Sequence, residues 1–402
     1  MMNDPTELRA IHWDGGAIVL LDQTALPSSV RYVRIKDTSE LVDAIRRKVV
    51  RGAPALGVAG ALGVALAMDE GVTKRWSTKN RDAAIAALRA ARPTVINLAR
   101  EVERASSRIP EGRDAVVRHA LGLIRNEERA NRELSILGAD WLLDRLQRPK
   151  LRALTHGNAG SLASVGWGSA LGVLHELHER QRLEFVYVNE TRPLLQGARL
   201  TTLELTQMKI AHALEVDSST ASTICTGRVD FAIVGAGRIT SNGDVINTIG
   251  TLGIALACSA ADIPFIVASP QSTVDTSTAS GDDFSIEERD GDEITHAFAR
   301  ARVPPGCVAY NPAIDVTPAC LVTAIVTERG ISQPPSNSQL PYSSETPIDD
   351  GPGPTEVGAL GTASDNWAPA LGTPESTRDL VCTAVHSGDA TAGQTQESPQ
   401  PC

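Results

Sequence analysis

Residues 229–270, VDFAIVGAGRITSNGDVINTIGTLGIALACSAADIPFIVASP, decide the fold class. An unbroken apolar run, FAIV at 231–234, stops at glycine. A polar, glycine-containing stretch follows, then an apolar helical run at 250–261, then a second unbroken apolar run, FIVA at 265–268. Short apolar runs without polar alternation fit strands buried on both faces, and the helix between them is the crossover joining parallel neighbours. The same alternation extends outward. RALTH (152–156), EFVYVNE (184–190) and CVAYNP (307–312) read as further β-rich runs, with helical patterns at 159–181, 200–214 and 220–226. A last helix is expected at 317–329, after the start signal DVTP with Pro318 near the first turn. The expected fold class is α/β, with a Rossmann-like parallel-sheet domain over residues 149–333.

Upstream, residues 1–148 read as a small, mostly helical N-terminal domain. AIHWDGGAIVLLDQTALP (10–27) has the form of a short hairpin turning at Gly15-Gly16. SELVDAIRRKVVRG (39–52) places apolar residues at helical spacing from Leu41 to Val49, and helical runs follow at 81–91 and 114–148. Downstream, residues 334–402 collapse into Ser, Pro, Thr, Gly and acid. They read as a disordered acidic tail, unable to bury enough surface to offset its ordering entropy.

That tail carries most of the net charge of -10: nine acidic residues against Arg378 alone from 335 onward, leaving 39 acidic and 37 basic residues in the body. A body so nearly neutral lacks the basic stripe of a nucleic-acid binder, so no nucleic-acid partner is expected. The six cysteines form no CxxC pair and no histidine-rich segment accompanies them, so no metal site is expected. The N-terminal MMNDPTELRA has no signal pattern, and the most apolar stretch, 53–68, is too short to span a bilayer. The expectation is a reduced, cytoplasmic protein without membrane contact.

In open α/β sheets ligands bind beyond the carboxyl ends of the strands. Four segments fall there: 155–160, 189–199, 235–251 and 269–275. Helix starts at Asn158, Arg199 and Gly250 would offer free backbone N–H groups to a phosphate, with Arg192, Arg199 and Arg238 as nearby cations. No strand is followed by GxGxxG: GAGRIT lacks the third glycine and GWGSALG lies inside a helical pattern, so no dinucleotide or other cofactor is expected. RGAPALGVAGALGVALA (51–67) supports two readings. Its glycines and alanines suit a closely packed helix, and Arg51-Gly52-Ala53-Pro54 suits a phosphate-holding loop at the helix start.

RGAPALGVAGALG, RPTVINL, LTHGNAGSLAS, NETRPLLQGARLTTLEL, IVGAGRITSNGDVINTIGTLGIALA and YNPAIDVTPACLVTAIVTERG together resemble the methylthioribose-1-phosphate isomerase family of methionine salvage. The six blocks run in order from about 11 to 331. Its superfamily includes ribose-1,5-bisphosphate isomerase and the regulatory subunits of initiation factor 2B. The resemblance implies aldose–ketose isomerisation of a sugar phosphorylated at its anomeric carbon, in a homodimer. It also implies a cysteine in a THCN block, an aspartate in a GADR block, and substrate contacts from the RGA loop, RPT, LLQGAR and an Asn-Lys pair.

Arg51, Gly52, Ala53, Arg92, Gln196 and Asn247 match those substrate-binding positions, while Thr248 stands in place of the lysine. Gly157 stands at the catalytic cysteine position and Gly237 at the catalytic aspartate position; Asn189 replaces an acid. Glycine has no side chain to move a proton, and one lost acid–base group costs about 10²–10⁴ in rate. The expectation is a sugar-phosphate-binding protein with isomerase turnover lost or severely reduced. The alternatives are an active isomerase with displaced catalytic groups and a non-catalytic regulatory protein like the initiation-factor subunits. Among substitutes for the missing groups, His156 reads first as a strand-end histidine bonded to backbone. Asp244 reads as a turn residue, and Cys225 as a packed helix residue.

Overall fold

The Gly15-Gly16 pair does turn a hairpin. In the computed structural model, which describes residues 8–334 except 94, 298 and 299, both glycines have positive φ. They join antiparallel strands β1 (Ile11–Asp14) and β2 (Ala17–Leu21), and β3 (Tyr32–Ile35) extends the sheet. Helix α1 (Thr38–Arg46) follows, its first turn closed by Asp37 accepting from Glu40 N. Then come α2 (Ala53–Thr73), α3 (Thr78–Arg89), α4 (Ile96–Ser106) and α5 (Arg113–Leu146). The sequence expectations did not include α4; its Leu98, Val102 and Ala105 face inward at helical spacing.

Helix α2 is apolar nearly all round because it is buried nearly all round. A Cβ on Gly60 would lie 2.8 Å from Leu98, and one on Gly63 2.4 Å from Leu88, so α4 and α3 pack directly on its backbone. The length expectation for this stretch is corrected. The helix runs 21 residues, long and apolar enough to cross a membrane, but 78% of its most apolar window is buried inside the protein. It is a core helix.

The chain then alternates: β4 (Leu151–His156), α6 (Ala170–Glu179), β5 (Leu183–Asn189), α7 (Thr202–Gln207), β6 (His212–Glu215), α8 (Thr220–Cys225) and β7 (Phe231–Val234). Next are β8 (Arg238–Thr240), β9 (Val245–Thr248), α9 (Thr251–Ala260), β10 (Phe265–Ala268) and β11 (Val274–Asp275). The last part holds α10 (Asp292–Thr295), β12 (His296–Ala297), β13 (Arg300–Ala301), β14 (Ile314–Thr317), β15 (Ala324–Thr327) and β16 (Gly330–Ser332). Seven strands form one sheet in the order β16-β15-β10-β7-β4-β5-β6, parallel except for the antiparallel edge strand β16. From β4 the chain steps one way to β5 and β6, and the other way to β7, β10 and β15. The switch point between β4 and β7 is where such sheets open a crevice. A four-stranded sheet, β11-β8-β9-β14, adjoins it in the chain.

Four local expectations are corrected. Residues 317–329 form a tight turn and β15, not a helix: Pro318 has the extended ψ of 141° and Val322, Thr323, Ile325, Val326 and Thr327 are β-branched. The buried β15 pairs in parallel with β10, which outweighs the local helical spacing. The helix expected from 159 begins only at Ala170, after a run of turns. The helix expected over 200–214 stops at Gln207, and the positive φ of Lys209 turns the chain into β6. Residues 307–312 hold only an isolated bridge from Pro312 to Glu288, with Val308 and Tyr310 exposed.

Among the described residues two large apolar cores result, beside a small cluster of Leu21, Leu26, Leu162 and Leu200. One joins β1–β3, α1–α4 and the first half of α5; the other joins Leu134, Ala139 and Leu142 of α5 to the large sheet and α6. The chain passes from one core to the other within α5, upstream of the composition change at 148. The tail expected to be disordered lies outside the described residues from 335 onward.

Candidate functional site

At the switch point lies a cavity of about 190 Å³. All four segments expected at the carboxyl ends of the strands reach it: His156 and Asn158 at the end of β4, Arg192, Pro193, Leu194 and Gln196 after β5, Gly235–Arg238 with Asn247 and Thr248 after β7, and Ser269, Pro270 and Thr273 after β10. The helical layer supplies the facing wall through Lys48, Arg51–Pro54 and Arg92. Residues 284–289 add Phe284, Glu287 and Arg289.

The wall is strongly cationic. Arg51 is 8% exposed, and among the described residues neither it nor Arg92 has an ion-pair partner. Burial, then the nearby charges of Arg92 and Arg199, push Arg51 down to about 9. Burial likewise lowers Arg92, with Glu287 opposing. Glu293 acts on Arg51 and Glu287 on Arg92 only at a distance, and buried guanidinium groups without a paired carboxylate are the kind of donor that suits an anion. They flank the start of α2, where Gly52, Ala53 and Pro54 line the cavity and no side chain caps the helix. That is the arrangement in which helix N-termini take phosphate. Gly52 is essential to it: its φ is +88°, and a Cβ would fall 1.8 Å from the Ala163 carbonyl oxygen. The packed-helix reading of 51–67 therefore holds, and the loop at its start faces the cavity. Arg238 is committed elsewhere, donating to Asp275 (2.8 Å) beneath the ring of Phe284, and Arg289 pairs with Glu293.

The helix starts proposed from sequence fare differently. No helix begins at Asn158. Arg199 does not line the cavity; it donates to the carbonyls of Gln23, Thr24 and Leu26. The N-terminus of α9 at Gly250 is already occupied, since Asp315 accepts from Gly250 N (2.8 Å) and Leu252 N (3.1 Å). Burial pushes Asp315 up to about 6 against those hydrogen bonds.

Gly157 has φ +78°; its N–H donates to Thr191 Oγ1 (3.0 Å) and its carbonyl accepts from Thr201 Oγ1 (2.7 Å). A Cβ there would meet Thr248 Oγ1, on the cavity wall, at an ordinary 3.5 Å. Gly237 lines the cavity, and a Cβ would lie 3.2 Å from Ile246 O. A side chain at 157 would find space but a strained backbone, and one at 237 would press on the Ile246 carbonyl. Asn247 donates to Thr251 Oγ1 (3.1 Å), which fixes its amide beside Thr248.

The possible substitutes are otherwise engaged. His156 is buried; Nε2 donates to Ile249 O (2.8 Å), which leaves Nδ1 to accept from Asn189 Nδ2 (3.2 Å). Burial lowers its pKa, so the ring is neutral and both nitrogens are bonded. Asp244 accepts from Asn242, Gly281 and Ala319 and holds the turn, as expected. Cys225, expected to pack inside, is exposed at the end of α8, whose buried side is Thr223 and Ile224. Two side chains were missed, that of Asn158, named in the sequence reading only for its backbone N–H, and that of Lys48. Neither Asn158 amide atom has a hydrogen-bond partner among the described residues, although both are buried at the cavity wall. Its signal was the polar residue directly after the strand-end glycine in THGN. Lys48, three residues before Arg51, carried no signal beyond its charge.

The fold is that of an α/β protein with a parallel sheet and a cation-walled crevice at its switch point. The chain belongs to the initiation factor 2 subunit family, whose profile matches residues 49–334. It is 42% identical over 344 residues to the methylthioribose-1-phosphate isomerase of Pelotomaculum thermopropionicum, covering 83% of this chain and 93% of that protein. A "probable bifunctional methylthioribose-1-phosphate isomerase/methylthioribulose-1-phosphate dehydratase" of Nocardia farcinica is 46% identical over 335 residues. That match covers 81% of this chain, which spans only 59% of the Nocardia protein. The crystal structure of 5-methylthioribose 1-phosphate isomerase from Pyrococcus horikoshii superposes with a TM-score of 0.73 at 33% identity, covering 81% of this chain and 93% of that one.

Proposed function

We propose that this chain binds a sugar 1-phosphate of the methylthioribose-1-phosphate type and has lost most or all of the isomerase turnover of its relatives. The observation that carries this is a cavity lined by Arg51 and Arg92, which have no ion-pair partner among the described residues, and by side-chain-free Gly237, with Gly157 directly behind the cavity-lining Thr248. The guanidinium groups and the start of α2 supply the charge-assisted hydrogen bonds a phosphate dianion needs. Moving hydrogen between neighbouring sugar carbons needs positioned acid–base groups, and neutral His156 has no free nitrogen to offer. The reading includes the homodimer that the resemblance implies and the cytoplasmic setting expected from the cysteines and the N-terminal sequence. Calorimetric titration tests it: methylthioribose-1-phosphate binds and unphosphorylated methylthioribose does not. Equal affinity for both, or no binding of either, overturns it.

A further inference from the structure

We infer that Lys48 is an anion-binding residue of this cavity, contributing a third cationic contact to the ligand's phosphate beside Arg51 and Arg92. The inference rests on the sugar-phosphate reading of the site. Its own observation is separate: Lys48 lines the cavity, yet its enclosed Nζ has no hydrogen-bond partner among the described residues. An ammonium group taken out of water without a partner is costly, and a fold keeps one where a ligand supplies the missing acceptor.

The backbone aims the residue. Lys48 sits just after α1, where its N–H bonds to Ile45 O (3.1 Å) and the Val49 N–H returns to Ala44 O (2.9 Å). Its φ is +64°, the left-handed region that glycine or asparagine fills more readily at a helix end. A lysine kept there gains nothing from helix termination. Three residues on, Arg51 enters the same cavity, so one short turn delivers two cations to one wall. Three donors on a compact ammonium complement two planar guanidinium groups around a tetrahedral anion.

The test is titration calorimetry of the full chain with methylthioribose-1-phosphate and with inorganic phosphate, on the parent, Lys48→Met and Lys48→Arg, alongside thermal melting without ligand. Loss of one charge-assisted contact weakens Lys48→Met about 10- to 150-fold toward both ligands. Lys48→Arg keeps most of the affinity, and the ligand-free Lys48→Met protein melts no lower than the parent, because an unpaired buried charge has gone. Unchanged affinity in Lys48→Met overturns the inference while leaving the sugar-phosphate reading intact. A parent that binds neither ligand overturns both. Weakened binding with a lowered melting temperature, unrescued by arginine, makes Lys48 structural and also overturns the inference.

Discussion

Glu204→Gln is the sharpest probe of how the cavity wall is held. Glu204, on α7, is buried, and its carboxylate accepts from Ser161 N (2.6 Å) and Ser161 Oγ (2.7 Å). It thereby anchors the turns at 158–169, which carry Asn158, Ala163, Ser164 and Ser169 to the cavity. Gly160 makes the approach possible, since a Cβ there would fall 2.2 Å from the carboxylate. No cation is paired with it among the described residues, so burial pushes its pKa from 4.5 up to about 7, against the hydrogen bonds from Ser161. The native state therefore binds more protons than the unfolded chain between pH 4.5 and 7. Stability falls as pH rises through that window, and is fully present only below it. At 1.36 kcal/mol per pKa unit, the loss from this one group is about 3 kcal/mol. Glutamine keeps an acceptor for Ser161 and does not ionise. Urea unfolding of parent and variant at fixed protein concentration, from pH 4.5 to 8, isolates the effect in the difference between the curves. The variant gains on the parent by about 3 kcal/mol across the window. Parallel profiles would refute the account of Glu204 as an uncompensated buried acid.

Two other substitutions test the site from different sides. Gly52→Ala places a methyl group 1.8 Å from the Ala163 carbonyl oxygen at a left-handed φ; the turn alone costs about 1–2 kcal/mol and the clash more, so the urea midpoint drops sharply and phosphate affinity goes with it. A native-like midpoint would show that the start of α2 does not close against residue 163. Asn189→Asp sets a carboxylate against His156 Nδ1, 3.2 Å from the present amide nitrogen, and raises the histidine pKa by about 1–3 units. Proton–carbon NMR of the ring reads the titration, and an unshifted pKa would contradict the proposed neutral tautomer.

Much of this architecture was legible because its signals are local. The runs FAIV and FIVA are strands because nothing in them is polar enough to face water, and the Gly- and polar-rich segments after them had to lie at one sheet edge. The chemistry of Arg51 and Arg92 also follows from residue type once a phosphate-binding turn is suspected. What stayed hidden depends on contacts distant in sequence. Residues 317–329 satisfy helical spacing, yet pairing with β10 makes strand β15 there. Arg199 looks like a ligand-binding cation until residues 23–26 present three carbonyls to it. Gly250 looks like an open helix start until Asp315, 65 residues on, occupies it. Lys48 is one charge among 38 until the fold turns it inward.

The central claim, an intact anion pocket without its acid–base pair, is tested most directly by phosphorus NMR of methylthioribose-1-phosphate with the parent chain and with a Gly157→Cys/Gly237→Asp double variant. The cysteine must tolerate the +78° φ of position 157, at a cost of about 1–2 kcal/mol in stability, so melting curves accompany the spectra. The account predicts an unchanged aldose phosphate signal with the parent and growth of a ketose 1-phosphate signal with the variant. Ketose formed by the parent at a rate matching or exceeding the variant's would contradict it, and would place the proton transfer on another group of the wall, with Glu287 the first to replace.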